Sequence, residues 1–95
     1  MSKVIHEYQI KARSHIQLLE TPADWEPLSV QPRGHCVVIC ARVDTDEPMV
    51  DQRVCVVTTG QELPEDMAAE KYLGTVYPGD DGILYHVFTT TGRGV

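Results

Sequence analysis

The 95 residues carry 42% hydrophobic side chains and a formal charge of −6, which excludes a disordered chain and leaves no basic footprint for generic nucleic-acid binding. No apolar run approaches the roughly 18 residues of a membrane-spanning helix, and the start, Met1-Ser2-Lys3-Val4-Ile5-His6-Glu7, turns polar before a signal-peptide core can form, so a cytoplasmic protein is expected. A chain this short makes one domain, residues 1–95, whose thin core favours a homo-oligomer because a partner subunit covers apolar surface that one subunit cannot.

Apolar and polar residues alternate along most of the chain, the signature of half-buried strands. Residues Val4–Lys11 put Val4, His6, Tyr8 and Ile10 on one face and Ile5, Glu7, Gln9 and Lys11 on the other. Ser14–Leu19 repeats the pattern with Ile16 and Leu18 inward, and Lys11-Ala12-Arg13 reads as a short turn joining the two as a hairpin. Thr21–Pro27 is expected to be a loop because prolines bracket it and cannot donate to a ladder. Inside it Trp25 is either a lid over the core or an anchor for a ligand or subunit.

A short strand at Leu28–Gln31 closes on Pro32-Arg33-Gly34, a turn signal. The almost wholly apolar run His35–Val43 predicts a central strand buried on both faces. Asp44–Pro48 is the next turn; it lacks the glycine and bidentate glutamate of a calcium loop. Arg53–Thr59 forms another β-branched strand ended by Gly60. Cys36, Cys40 and Cys55 sit inside apolar runs and are odd in number, as expected of buried free thiols rather than disulfides or a zinc site.

Pro64–Lys71 is the one helical candidate, with proline at the first position, Glu65 and Asp66 near the N-terminal end and Lys71 at the other. Tyr72–Tyr77 and Ile83–Thr89 flank Pro78-Gly79-Asp80-Asp81-Gly82, a strong hairpin signal. The tail 90–95 is expected to fray. The predicted fold is mainly β, or α+β: about seven short, mostly antiparallel strands in a small sandwich or barrel with one short helix.

No nucleophile elbow, metalloprotease helix or phosphate-binding lysine loop occurs, and none of the four histidines has a partner at diagnostic spacing, so no enzyme, cofactor or metal is expected. Thr58-Thr59-Gly60 stands out, because a strand ending in hydroxyls and a glycine can turn backbone N–H groups toward an anion. Charge is uneven: residues 1–42 hold five Lys/Arg and four Asp/Glu, a net of +1, and residues 43–95 hold three and ten, a net of −7.

The order HEYQI (6–10), LSVQ before a glycine turn (28–34), ARVD (41–44), TTGQELP (58–64), YLGTV (72–76) and LYHVF (84–88) resembles a family of small uncharacterised proteins of tailed bacteriophages and prophages. The chain departs from that pattern at Cys40 and Tyr85, where the family commonly carries tryptophan. The resemblance implies a phage origin and a host bacterial cytoplasm. Two functions then stand side by side. One is an oligomeric counter-defence protein that sequesters a small anionic, nucleotide-derived signal through Arg13, Trp25, Arg33, Thr58, Thr59 and Gly60. The other is an inhibitor that turns Glu65, Asp66, Asp80 and Asp81 toward a basic host protein. Direct binding of nucleic acid or membrane is not expected in either.

Overall fold

The computed structural model describes residues 3–11, 16–64, 71–77 and 82–89, and all regular structure among them is β. The strands are β1 (Lys3–Lys11), β2 (Ile16–Pro22), β3 (Glu26–Arg33), β4 (Cys36–Asp44), β5 (Met49–Thr58), β6 (Lys71–Val76) and β7 (Tyr85–Thr89). They form a three-stranded sheet in the order β1-β4-β3 and a four-stranded sheet in the order β2-β5-β7-β6. Every pairing is antiparallel.

The two sheets pack as a sandwich because alternate residues of their central strands are small and β-branched. Val37, Ile39, Ala41 and Val43 of β4 are fully buried, and they meet Val54 and Val56 of β5, Val76 of β6 and Val87 of β7 in one cluster. Trp25 closes this core. It is 1% exposed and stands edge-on against Tyr8, with ring centroids 5.6 Å apart at 87°. Such a contact adds about 0.5–1.5 kcal/mol beyond the buried area. Of its two expected roles Trp25 thus takes the core one, and its Nε1–H finds no acceptor among the described residues. Burial also raises the Tyr8 hydroxyl above its ordinary pKa.

Several boundaries differ from the sequence reading. β1 and β2 do not form a hairpin: β1 pairs only with β4, and β2 only with β5. The connection crosses from one sheet to the other, and its residues 12–15, with Ser14 and Arg13, lie outside the described residues. Leu18 is not inward but 63% exposed, because the register aligned with β5 turns Leu19 to the core instead. The proposed Thr21–Pro27 loop shrinks to Ala23–Trp25. Pro22 and Pro27 are strand residues, tolerated because β2 and β3 are edge strands whose free side needs no donor. The helix proposed at Pro64–Lys71 falls on residues 65–70, outside the described residues, and Lys71 opens β6 instead. The tail 90–95 also lies outside them.

Other features follow the sequence in part. β4 is the central strand of its sheet, but it is fully buried on its inner face alone: on the outer one Cys36 and Cys40 are half-buried and Arg42 is exposed. The turn expected at Pro32-Arg33-Gly34 lies later: Pro32 and Arg33 are still in β3, and Arg33 pairs with Cys36 across a two-residue turn, Gly34-His35, with Gly34 at φ 57. Glycine at the first central position with positive φ is the type II′ requirement. β6 and β7 pair as the hairpin that the Pro78–Gly82 signal predicts. The three cysteines are free; Cys55 is buried, whereas Cys36 and Cys40 are half-buried on the outer side of β4. No helix among the described residues is long and apolar enough to cross a membrane.

The two outer faces differ in chemistry. On the β1-β4-β3 sheet, Arg33 donates two hydrogen bonds of 3.0 Å to the Glu7 carboxylate across β4, and Arg42 pairs with Glu26. On the four-stranded sheet, Ile16, Cys55, Phe88 and Tyr72 lie in one cross-strand row. Leu63 packs over that row and over Val57, making a small second apolar cluster.

Candidate functional site

The site lies where β5 ends above this second cluster. Gly60 takes φ 91, a left-handed conformation that side chains resist, and the chain turns back on itself. The turn is tied at both levels. The Gln61 N–H donates to the Thr58 carbonyl at 3.0 Å. The Gln61 side-chain oxygen accepts from the Thr58 N–H at 3.0 Å and from the Thr58 hydroxyl at 3.3 Å. The Thr58 N–H is therefore already committed to an acceptor of its own chain, and the backbone anion cradle expected at Thr58-Thr59-Gly60 is closed at its first donor.

What the turn does present is a hydroxyl. The Thr59 Oγ1 lies 2.8 Å from Nε2 of His86, and Nδ1 of the same ring lies 2.9 Å from the Thr75 Oγ1. The Thr75 hydroxyl in turn lies 2.5 Å from the Tyr72 phenol oxygen. The strand register explains the alignment: His86 pairs with Thr75 on β6 and Val57 on β5, all facing outward. A neutral imidazole has one donor and one acceptor nitrogen, so its tautomer polarises the whole chain. With the proton on Nε2, His86 donates to Thr59, whose own O–H is left to donate to a ligand. With the proton on Nδ1, Thr59 donates to His86 and the free donor is the Tyr72 phenol.

Two adjoining hollows share this rim. One, of about 290 Å³, has Val57, Leu63 and Phe88 as an apolar floor and Thr59, Gln61 and His86 as polar walls. The other, of about 440 Å³, runs from Thr58 and Thr59 to Gly82, Ile83 and Leu84. No Lys or Arg is among the described residues lining either. Among the described residues the lining is therefore hydrogen-bonding but uncharged. No group of three or more His, Cys, Asp or Glu among the described residues is placed to hold a metal ion.

Of the residues singled out from sequence, Thr58, Thr59 and Gly60 come together here. Trp25 is in the core. Arg33 is on the other sheet, where its guanidinium, pushed further above its ordinary pKa by Glu7, is engaged in the bidentate pair. Arg13, Glu65, Asp66, Asp80 and Asp81 lie outside the described residues. Sequence reasoning missed His86 and Gln61. Half of the His86 signal was present: a hairpin centred on Pro78–Gly82 brings residue 86 opposite residue 75. Its contact with Thr59 depends on the β5–β7 pairing, to which no local pattern points.

Residues 1–94 match the model of a family described as a domain of unknown function, DUF7352. No curated protein and no solved structure matches the chain.

Proposed function

We propose that the chain, which belongs to the DUF7352 family, is a non-enzymatic binding module that captures a small nucleotide-derived molecule at the Thr58–Gly60 turn. The observation that supports this most is the hydrogen-bond chain Thr59–His86–Thr75–Tyr72 at the rim of a hollow floored by Phe88 and Val57. A flat heteroaromatic group suits that combination, with its faces on the apolar floor and its donor-acceptor edge toward Thr59, His86 and Gln61. The uncharged lining among the described residues supports recognition of the base rather than of the phosphate, which would lie toward solvent. The resemblance to phage proteins supports the wider setting: a homo-oligomeric counter-defence protein in the cytoplasm of a bacterial host, sequestering a signalling nucleotide.

Calorimetry against a panel of cyclic nucleotides and nucleosides tests the reading. Thr59→Val and His86→Phe each remove a neutral hydrogen-bond partner and are expected to weaken binding about five- to tenfold, the equivalent of about 1 kcal/mol. Arg33→Gln is expected to leave affinity unchanged. Absence of binding across the panel defeats the proposal. The competing reading, an acidic inhibitor of a basic host protein, draws on the net −7 of residues 43–95. It predicts a salt-sensitive capture from host lysate that Glu65, Asp66, Asp80 and Asp81 replacements abolish.

A further inference from the structure

A sandwich of two open sheets has an exposed edge on each of its outermost strands, β1, β3, β2 and β6, and such edges are usually blunted against pairing. β3 carries Pro27 and Pro32 and a bulge between Pro27 and Ser29. β6 is broken by a bulge between Tyr72 and Gly74. β2 ends on Pro22 and offers Glu20 as its only charge. β1 carries charges at Lys3, Glu7 and Lys11 but has neither proline nor bulge. It runs nine residues without a glycine, and Ile5 near its middle is 56% exposed.

The free edge of β1 also has a defined register. The Lys11 N–H donates to the Gln17 side-chain oxygen at 3.0 Å, and the Gln17 amide donates to the Lys11 carbonyl at 2.7 Å. Both backbone groups of Lys11 therefore point away from β4. Backbone groups alternate sides along a strand, so those of Lys3, Ile5, Glu7 and Gln9 face the same open edge. Among the described residues, Gln17 fills the Lys11 position of this edge.

We infer that β1 pairs antiparallel with β1 of a second copy of this chain, centred on Ile5, joining two three-stranded sheets into one of six strands. In that register Ile5 lies opposite the partner's Ile5, and Lys3 lies opposite the partner's Glu7 at both ends of the two-fold contact. Lys3 and Glu7 each bond within their own chain, to Asp24 and Arg33, yet keep 56% and 53% of their side-chain surface exposed. Each is thus free to face a further opposite charge. Shifting the centre to Glu7 sets Glu7 against Glu7 and Lys3 against Lys11, a repulsive arrangement. Centring on His6 sets Ile5 against Glu7. The charge pattern selects the Ile5 register. The contact lies on the sheet opposite the ligand site and stands independently of it.

Sedimentation velocity over a concentration series, with native mass spectrometry, tests the pairing on the full chain. The wild type is expected to dimerise. Lys3→Glu and Glu7→Lys are each expected to weaken the dimer about tenfold or more, since two cross-strand pairs become repulsive together. The double variant Lys3→Glu/Glu7→Lys restores opposite charges and is expected to recover dimerisation. That recovery is not something a loss of folding could mimic, and thermal melts by circular dichroism check each variant. A wild type monomeric at every concentration overturns the inference. So does a dimer insensitive to either single change, a double variant that fails to recover while folded, or a dimer broken by Leu18→Lys on β2 instead.

Discussion

At the scale of single residues, one tight fit lies between the sheets. Gly74 on β6 faces Val30 on β3 so closely that a Cβ on Gly74 would fall 2.5 Å from the Val30 Cγ1. Valine is stiff about its first torsion, so the methyl cannot swing aside without leaving its rotamer. Gly74→Ala is therefore expected to destabilise by about 1–3 kcal/mol, as overpacking of a filled core does. The check is the urea midpoint, and the rescue is specific. Val30→Ala in the Gly74→Ala background should recover part of the loss, whereas Val30→Ala alone should be destabilising. A Gly74→Ala midpoint equal to wild type would mean that β3 and β6 separate freely. Glycine is thus required here by the approach of another strand, and its own φ plays no part.

At the scale of elements, the β3–β4 hairpin turns on Gly34 at φ 57. An alanine Cβ at that φ meets the following carbonyl, at a cost of roughly 1–2 kcal/mol, whereas asparagine tolerates the conformation better. Gly34→Ala should lower the urea midpoint measurably and Gly34→Asn should lower it less. Equal effects would point to something other than backbone strain. This hairpin and the β6–β7 one were legible in the sequence because a glycine turn and two alternating runs determine a local pairing. The apolar run of β4 likewise marked the central strand. The pairings β1–β4, β2–β5 and β5–β7 were not legible, since they join segments far apart in the chain and each alternating strand offers its apolar face to any partner equally well. The same gap explains the site. Thr58, Thr59 and Gly60 are a local motif and could be found. Their histidine is brought by a distant strand, and Arg33 drew notice for its charge although its partner Glu7 lies two strands away across β4.

At the scale of the whole molecule, the charged outer face makes stability depend on pH in a direction the ion pairs dictate. Hydrogen bonds from Arg33 hold Glu7 below its ordinary pKa, those from Arg42 do the same for Glu26, and Lys3 with the Asp44 backbone N–H lowers Asp24. A carboxylate whose pKa is lower folded than unfolded contributes stability that is fully present above the unfolded value. That contribution is lost as pH falls through the folded one. The three act in the same window, so the urea midpoint should hold steady through neutral and mildly acidic pH and decline below about pH 4. Glu7 and Glu26 are solvent-exposed and Asp24 is half-buried, so added salt should flatten the decline by screening mainly the first two pairs. Glu7→Gln removes one contributor: its midpoint at neutral pH should be lower than wild type, and its further loss in acid smaller. Thr59→Val on the four-stranded sheet removes a hydroxyl and no carboxylate, so it should shift the curve without changing its acid slope. If Glu7→Gln and wild type lose stability in acid in parallel, the Arg33–Glu7 pair is not what couples the fold to protons, and the source must be sought in Asp24 and Glu26 by the same substitution.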